Sequence, residues 1–238
     1  MTSETDQREI DVQAWIGARI EAYQIMLEIG PGPHGVLFLA EEVTTRETVA
    51  VKVMLPGRDA EAALTNARVV RALSHPGLVA VRACGEKDGY AYIVSEYVQY
   101  QPPDFPRTGA GEGVFAKNLL EYVQMHPGFV PEATVASVLM QVIDALTYVH
   151  GVNDSDTALP HGGVHPHNIL TQKRPDGSVK VCVTDIGLPC RRGKEGTLDA
   201  FISPEELQGQ GATQQTDVYG LGALAHLLLV GTAPGTPL

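Results

Sequence analysis

The stretch Gly30-Pro31-Gly32-Pro33-His34-Gly35 constrains the fold more than any other, because the residues directly after it decide between two folds. Glycines spaced in this way let backbone N–H groups approach phosphate oxygens with no Cβ between. A dinucleotide-binding turn would require a helix directly after them. The chain continues instead as Val36-Leu37-Phe38-Leu39-Ala40, the polar turn Thr44-Thr45-Arg46-Glu47, and Thr48-Val49-Ala50-Val51-Lys52-Val53-Met54. Two β-rich runs around a polar turn predict a hairpin, and the dinucleotide alternative fails on that context. For the glycines alone an ordinary hairpin turn is the plainer account. Lys52 on the second strand shifts the balance toward a phosphate cradle.

The remaining periodicities predict an α+β chain. Residues 12–23 carry Val12, Trp15, Ile16 and Ile20 on one helical stripe, and Tyr23 to Ile29 begins a sheet. Asp59 to Leu73, free of Gly and Pro, is a helix stopped by His75-Pro76-Gly77. Leu78 to Cys84 and Tyr90 to Val94 flank the turn Lys87-Asp88-Gly89 and form a second hairpin. Ala133 to His150 is amphipathic, with Val135, Val138, Leu139, Val142, Ile143 and Leu146 inward. Three insertions, Gln99 to Gly113, Gly151 to Pro160 and the Lys173 to Ser178 turn, have surface-loop composition.

With 238 residues the chain is long enough for one domain of two lobes. A net charge of -11 argues against a nucleic-acid or anionic-membrane surface and fits ordinary acidic solubility. Cys84, Cys182 and Cys190 are far apart and odd in number, as expected of reduced thiols in a cytoplasmic protein. The polar first ten residues carry no signal-peptide pattern. Leu221 to Val230, broken by Gly222 and His226, is too short to span a bilayer and reads as a core helix.

Further motifs occur in order along the chain. Val49-Ala50-Val51-Lys52 fits V-A-I-K, His161-Gly162-Gly163-Val164-His165-Pro166-His167-Asn168 aligns without gaps to H-R-D-L-K-P-x-N, and Asp185-Ile186-Gly187 fits D-F-G. Ser203-Pro204-Glu205 looks like A-P-E, and Asp217-Val218-Tyr219-Gly220-Leu221-Gly222 like D-V-x-S-x-G. Over residues 21–231 the chain therefore resembles the protein kinase superfamily, in particular bacterial-type Ser/Thr kinases. The resemblance implies a two-lobed α+β fold with a 1–20 N-terminal extension. Residues 21–98 would form an N-lobe and hinge, with a five-stranded antiparallel sheet and an αC helix. Residues 99–238 would form a mainly helical C-lobe that stops after an αF-like helix. Glu205 would then lack the Arg partner the family usually supplies beyond that point.

The same resemblance implies site roles. Gly30, Gly32 and Gly35 would cradle phosphates; Leu37 and Ala50 would roof an adenine and Leu170 would floor it. The Glu96 carbonyl and Val98 N–H would read its edge, and Ser95 would be a small gatekeeper. Lys52 would meet phosphates, and Asn168 and Asp185 would hold Mg²⁺ beside ATP, the alternative being structural remnants. Two roles are missing. The catalytic base falls on Gly163, which has no atom to accept a proton, and the αC acid, ten residues before Pro76, falls on Asn66. Glu61 lies on another helix face. His165 is the one candidate for a substitute base, and Gly162 removes the Arg that would grip an activation-loop phosphate. His161, with His165 and His167, invites a zinc reading, but a buried core histidine is the better account, with Ile186 and Val70 near it.

The expectation is thus a pseudokinase that binds nucleotide weakly and serves as a signalling or scaffolding module for a protein partner, without nucleic-acid or membrane contacts. The alternatives are an unconventional low-activity kinase using His165 and a nucleotide-free interaction domain.

Overall fold

The computed structural model describes residues 10–32, 34–99, 117–126, 130–151, 159–174, 176–190 and 198–235. Most of the first two predicted insertions lies outside the described residues. The chain divides into two compact units, Met1–Arg71 with Ala80–Tyr97, and Ala72–Val79 with Val98–Leu238.

In the first unit a short helix α1 (Val12–Trp15) leads to β1 (Arg19–Ile20), β2 (Tyr23–Gly32), β3 (Gly35–Glu42) and β4 (Thr48–Met54). Helix α2 (Arg58–Val70) and the hairpin β5 (Val81–Lys87) and β6 (Tyr90–Glu96) complete it. The sheet runs β1-β2-β3-β4-β6-β5, all antiparallel, so it has six strands rather than the predicted five. The extra strand comes from the segment expected to be a single helix over 12–23. Gly17, at φ 82°, ends that helix after one turn, and Arg19 and Ile20 then pair with Gln24 and Tyr23. Residues 10–20 thus pack on this unit. Trp15 and Ile20 are 5% and 2% exposed and close one face of the sheet over Phe38, Val49, Val51, Val53 and Val94.

Strand alternation sends the intervening residues to the other face. The register pairs Leu37 with Lys52, Leu39 with Ala50, and Ala50 with Ser95. Helix α2 buries Ala60, Ala63, Leu64, Ala67 and Val70 at three- and four-residue spacing, and packs against β5 and β6. Asp88 and Gly89 both adopt positive φ, 53° and 81°, the backbone a two-residue Asp-Gly hairpin turn requires.

The second unit contains β7 (Lys117–Asn118), α3 (Leu119–Met125), α4 (Glu132–Gly151), a 3₁₀ turn Pro166–Asn168, β8 (Ile169–Lys173) and β9 (Val179–Val183). A second 3₁₀ turn at Asp199–Phe201, α5 (Pro204–Leu207) and α6 (Gln214–Val230) come next. Residues 72–79 join this unit because Leu78 bridges Val183 in parallel. Val79 N–H donates to Val183 O at 2.9 Å and Val183 N–H to Gly77 O at 2.8 Å. Helix α4 packs on α6 and β9 through Val135, Val138, Val142, Ala145, Leu146 and Val149. Ile143, expected inward, is exposed. Among the described residues α4 is the one helix long and apolar enough to cross a membrane by length and composition, and its apolar residues include the buried stripe just named. Helix α6 begins at a Thr213–Thr216 capping box and ends at Gly231 in the left-handed region.

Candidate functional site

The predicted nucleotide residues fall into two groups, one in each unit. In the first, β2 and β3 pair up to Gly32 opposite Gly35, so these glycines flank a hairpin tip. At Gly35 a Cβ would overlap the Val53 carbonyl; only glycine allows the tip to lie this close to β4. Leu37, Ala50, Lys52 and Ser95 share one face of β3-β4-β6, as the register above requires. Glu96 projects from the other face, opposite Val49. Its Oε1 accepts a hydrogen bond from Ala80 N–H at 3.2 Å while its own N–H donates to Ala80 O at 2.9 Å. On α2, Asn66 is half-buried and Glu61 is exposed.

In the second unit, Leu170 packs with Val79, Val98 and Cys182, so the predicted adenine floor and one edge-reading residue lie together. The loop His161 to Pro166 is buried throughout and is held by a carboxylate to which the motifs alone assign no role. Asp217, 1% exposed on the first turn of α6, accepts from His161 N–H through Oδ2 and from Gly162 N–H through Oδ1, each at 2.8 Å. His150 Nε2 lies 2.7 Å from Oδ2. An acid in the first turn of a helix that is apolar over most of its length was the available signal, since a buried carboxylate must find donors.

His161 is fully buried. Gly163 N–H donates to its Nδ1 at 3.2 Å and its Nε2 donates to Thr184 O at 2.9 Å. That pattern is a neutral imidazole with both nitrogens occupied, and burial pushes its pKa below the ordinary histidine value. Zinc ligation by His161 is thereby excluded, and no metal-holding group of His, Cys, Asp or Glu occurs among the described residues. The core-histidine reading fits, with Ile186 6% exposed.

His165 is 1% exposed, its ring 6.0 Å from that of His167. A general base must reach the proton it abstracts, and this burial encloses the imidazole that the sequence offered as a substitute base. Asn168 Nδ2 donates to Gly163 O at 2.9 Å, which braces the loop and leaves Oδ1 as the atom it could offer a cation. Asp185 adopts φ 63°, a left-handed backbone that costs a non-glycine residue about 1 kcal/mol or more. Two oxygen donors of this kind suit Mg²⁺ better than a softer metal.

Gly162 carries the left-handed φ, 72°, of the two loop glycines. At Gly163 the constraint is space: a Cβ there would stand 2.5 Å from Leu188 O. At the end of the segment, Ser203 and Glu206 form a capping box around α5. Glu205, expected to lack its usual Arg, accepts from Thr216 Oγ1 at 3.0 Å.

Comparison with known proteins agrees with this architecture. The protein kinase domain family matches residues 23–236. The chain is 29% identical over 233 residues to the serine/threonine-protein kinase PrkC of Bacillus subtilis, covering 92% of this chain and 32% of that protein. It is 27% identical to PknJ of Mycobacterium tuberculosis, covering 92% and 35%. The chain thus spans about a third of the length of these curated relatives. Among solved structures, the PknI kinase domain of Mycobacterium tuberculosis superposes with a TM-score of 0.70 at 22% identity, over 93% of this chain and 80% of that one. Rad53 in complex with AMP-PNP superposes with a TM-score of 0.66 at 25% identity, over 91% and 50%. With the family match running through the glycine hairpin, the buried loop and α6 alike, the chain belongs to the protein kinase domain family.

Proposed function

We propose that this chain is a pseudokinase: a kinase-fold signalling or scaffolding module that binds ATP weakly and transfers phosphate slowly or not at all. The observation that carries the reading is Gly163. The loop around it is held in place by Asp217, His161 and Asn168, yet the position of the proton acceptor has no side chain. Loss of a general base costs about 10²- to 10⁴-fold, and Asn66 in place of an acid compounds that loss without simple additivity.

Retention of the nucleotide residues supports binding. The Gly30–Gly35 hairpin would cradle phosphates, Lys52 would supply a cation, and Asn168 and Asp185 would hold Mg²⁺ through oxygen. Bound Mg²⁺ would offset the negative charge of the triphosphate. A weakly active Ser/Thr kinase is the second reading, favoured by that same retained set and by the names of the relatives, while the burial of His165 weighs against its proposed base. Three thiols outside any disulfide support a reducing, cytoplasmic setting in this reading, and the module's partner is proposed to be a protein.

The test pairs two assays on the purified chain. Labelled ATP with Mg²⁺ or Mn²⁺ should give no robust phosphorylation of the chain or generic substrates; turnover near ~1 to 100 s⁻¹ would sink the proposal. Millimolar ATP should raise the melting temperature, more so with Mg²⁺. No shift at all would favour the nucleotide-free interaction domain.

A further inference from the structure

Helix α6 has two apolar faces, and the fold uses one of them. Gly220, Ala223, Leu224, Leu227 and Leu228 are buried, and the helix packs on α4 and on the 3₁₀ turn at Asp199–Phe201. At about 100° per residue Val218, Gly222 and Leu229 fall together on the opposite side, with Tyr219 and Val230 beside them. Val218 is 66% and Leu229 55% exposed, and Tyr219, Gly222 and Val230 are exposed as well. A helix that is apolar all round is ordinarily buried all round. Helix α4 shows how this chain builds a side that faces water, because its exposed residues mix Glu132, Ser137, Asp144 and Thr147 with Met140 and Ile143. In α6, by contrast, no Asp, Glu, Lys or Arg occurs from Val218 to Val230.

Gly222 adds an independent observation. Gly220, two residues earlier, is required by the fold, since a Cβ there would stand 2.5 Å from Val164 O. At Gly222 a Cβ would meet nothing within 4 Å. Among the described residues no contact calls for a glycine at this position, although glycine is among the least favourable residues for a helix interior. Its missing side chain leaves a notch in the middle of the exposed face, flanked along the helix by Val218 and the small Ala225.

We propose that this face of α6 is the contact between two copies of this chain, which meet α6 to α6 around a two-fold axis perpendicular to the helix. With the axis passing between Gly222 and Ala225 the two helices run antiparallel and cross where their side chains are smallest, so the backbones approach closely. The Val218–Tyr219 end of one copy then lies on the Leu229–Val230 end of the other, which is the self-matching that a two-fold contact requires. Charge favours the same partner. Each copy carries a net charge of -11, so two copies repel in general, and a face free of acidic and basic side chains is one on which they can meet. Burying this face on both copies removes on the order of 1,000 Å² from water, the lower bound for a specific interface, so the dimer is reversible rather than obligate. The proposal is independent of the pseudokinase reading.

Sedimentation equilibrium of the full chain without nucleotide, from about 1 to 300 µM, tests it. The wild type should pass from monomer to dimer with a Kd of about 10–100 µM. Gly222→Leu fills a notch in which its own chain has room, so it should weaken the dimer about tenfold or more while the melting temperature of the dilute monomer is unchanged or higher. Leu229→Glu should also weaken the dimer, by setting a carboxylate of each copy in the contact. Met140→Glu, on the exposed side of α4, should leave it intact.

A wild type that stays monomeric to about 300 µM, a dimer indifferent to both α6 variants, oligomers beyond two copies, or a dimer lost in Met140→Glu each overturns the proposal. A monomeric wild type that binds the apolar dye ANS, with that binding lost in Leu229→Glu, would give the face to a different protein and overturn the second copy. Phosphotransfer enters none of these readouts. An active enzyme that dimerises through α6 would sink the pseudokinase reading alone; an inactive chain that stays monomeric would sink the dimer alone.

Discussion

Asp217→Asn is the sharpest test of how the catalytic loop is held. The carboxylate is almost fully buried and accepts two backbone N–H groups, with His150 Nε2 at 2.7 Å. Asparagine matches it in shape but offers one oxygen and one NH₂. If the oxygen stays with Gly162, the NH₂ points at the His161 N–H; if it turns, the Gly162 N–H is left facing a donor. Either way one buried backbone N–H loses its acceptor, at about 1–3 kcal/mol, and the remaining bond loses its charge assistance, about 1 kcal/mol more. The expected loss is about 2–4 kcal/mol, or roughly 4–16 °C in melting temperature for a chain of this size. Thermal unfolding by circular dichroism at neutral pH measures it, with urea unfolding as a check. Glu205→Gln serves as the control, because the half-buried Glu205 accepts from Thr216 Oγ1 and glutamine can keep that bond through its own oxygen, so the cost should be under about 1 kcal/mol. If Asp217→Asn stays within about 0.5 kcal/mol of wild type, the carboxylate does not anchor the loop and the account of the site fails.

Two further outcomes are expected from packing and from titration. Trp15→Ala should cost about 3–5 kcal/mol, because Trp15 seals the sheet face over Phe38; a melting temperature unchanged on this substitution would return residues 10–20 to the status of an appendage. His161 is neutral when folded and titrates near 6.5 when unfolded, so the unfolded state binds the extra proton. Stability from this group is therefore fully present above pH 6.5 and falls as the pH drops below it. Urea unfolding at pH 7.5 and 5.5 should show the decline in the wild type and a smaller one in His161→Phe; equal slopes would contradict the neutral-imidazole assignment.

Much of this chain was legible from order and local chemistry. The glycine stretch with β-rich runs after it, the Asp88-Gly89 turn and the helical stripe of α4 are decided by nearest neighbours along the chain, and local propensity dictates them before any packing occurs. The motif order from Val49-Ala50-Val51-Lys52 to Asp217 pointed to the kinase fold in the same way. Where reading by period failed, a single residue was responsible. The stripe Val12, Trp15, Ile16 and Ile20 is helical in spacing, but Gly17 at positive φ ends the helix, and pairing with β2 claims the rest.

Residue identity alone determined that position 163 cannot accept a proton and that position 66 carries no charge. The surroundings of those positions were decided by tertiary structure. His150, the loop at 161–163 and Asp217 meet across 67 residues of chain, so whether the acid is a solvated helix start or a buried anchor depends on where α4 and α6 place them. The enclosure of His165 and the approach of Leu188 O to Gly163 are likewise properties of close-packed layers. No local pattern encodes a distance between segments joined only by folding, and it is that distance which turns a glycine from a missing side chain into a position without room for one.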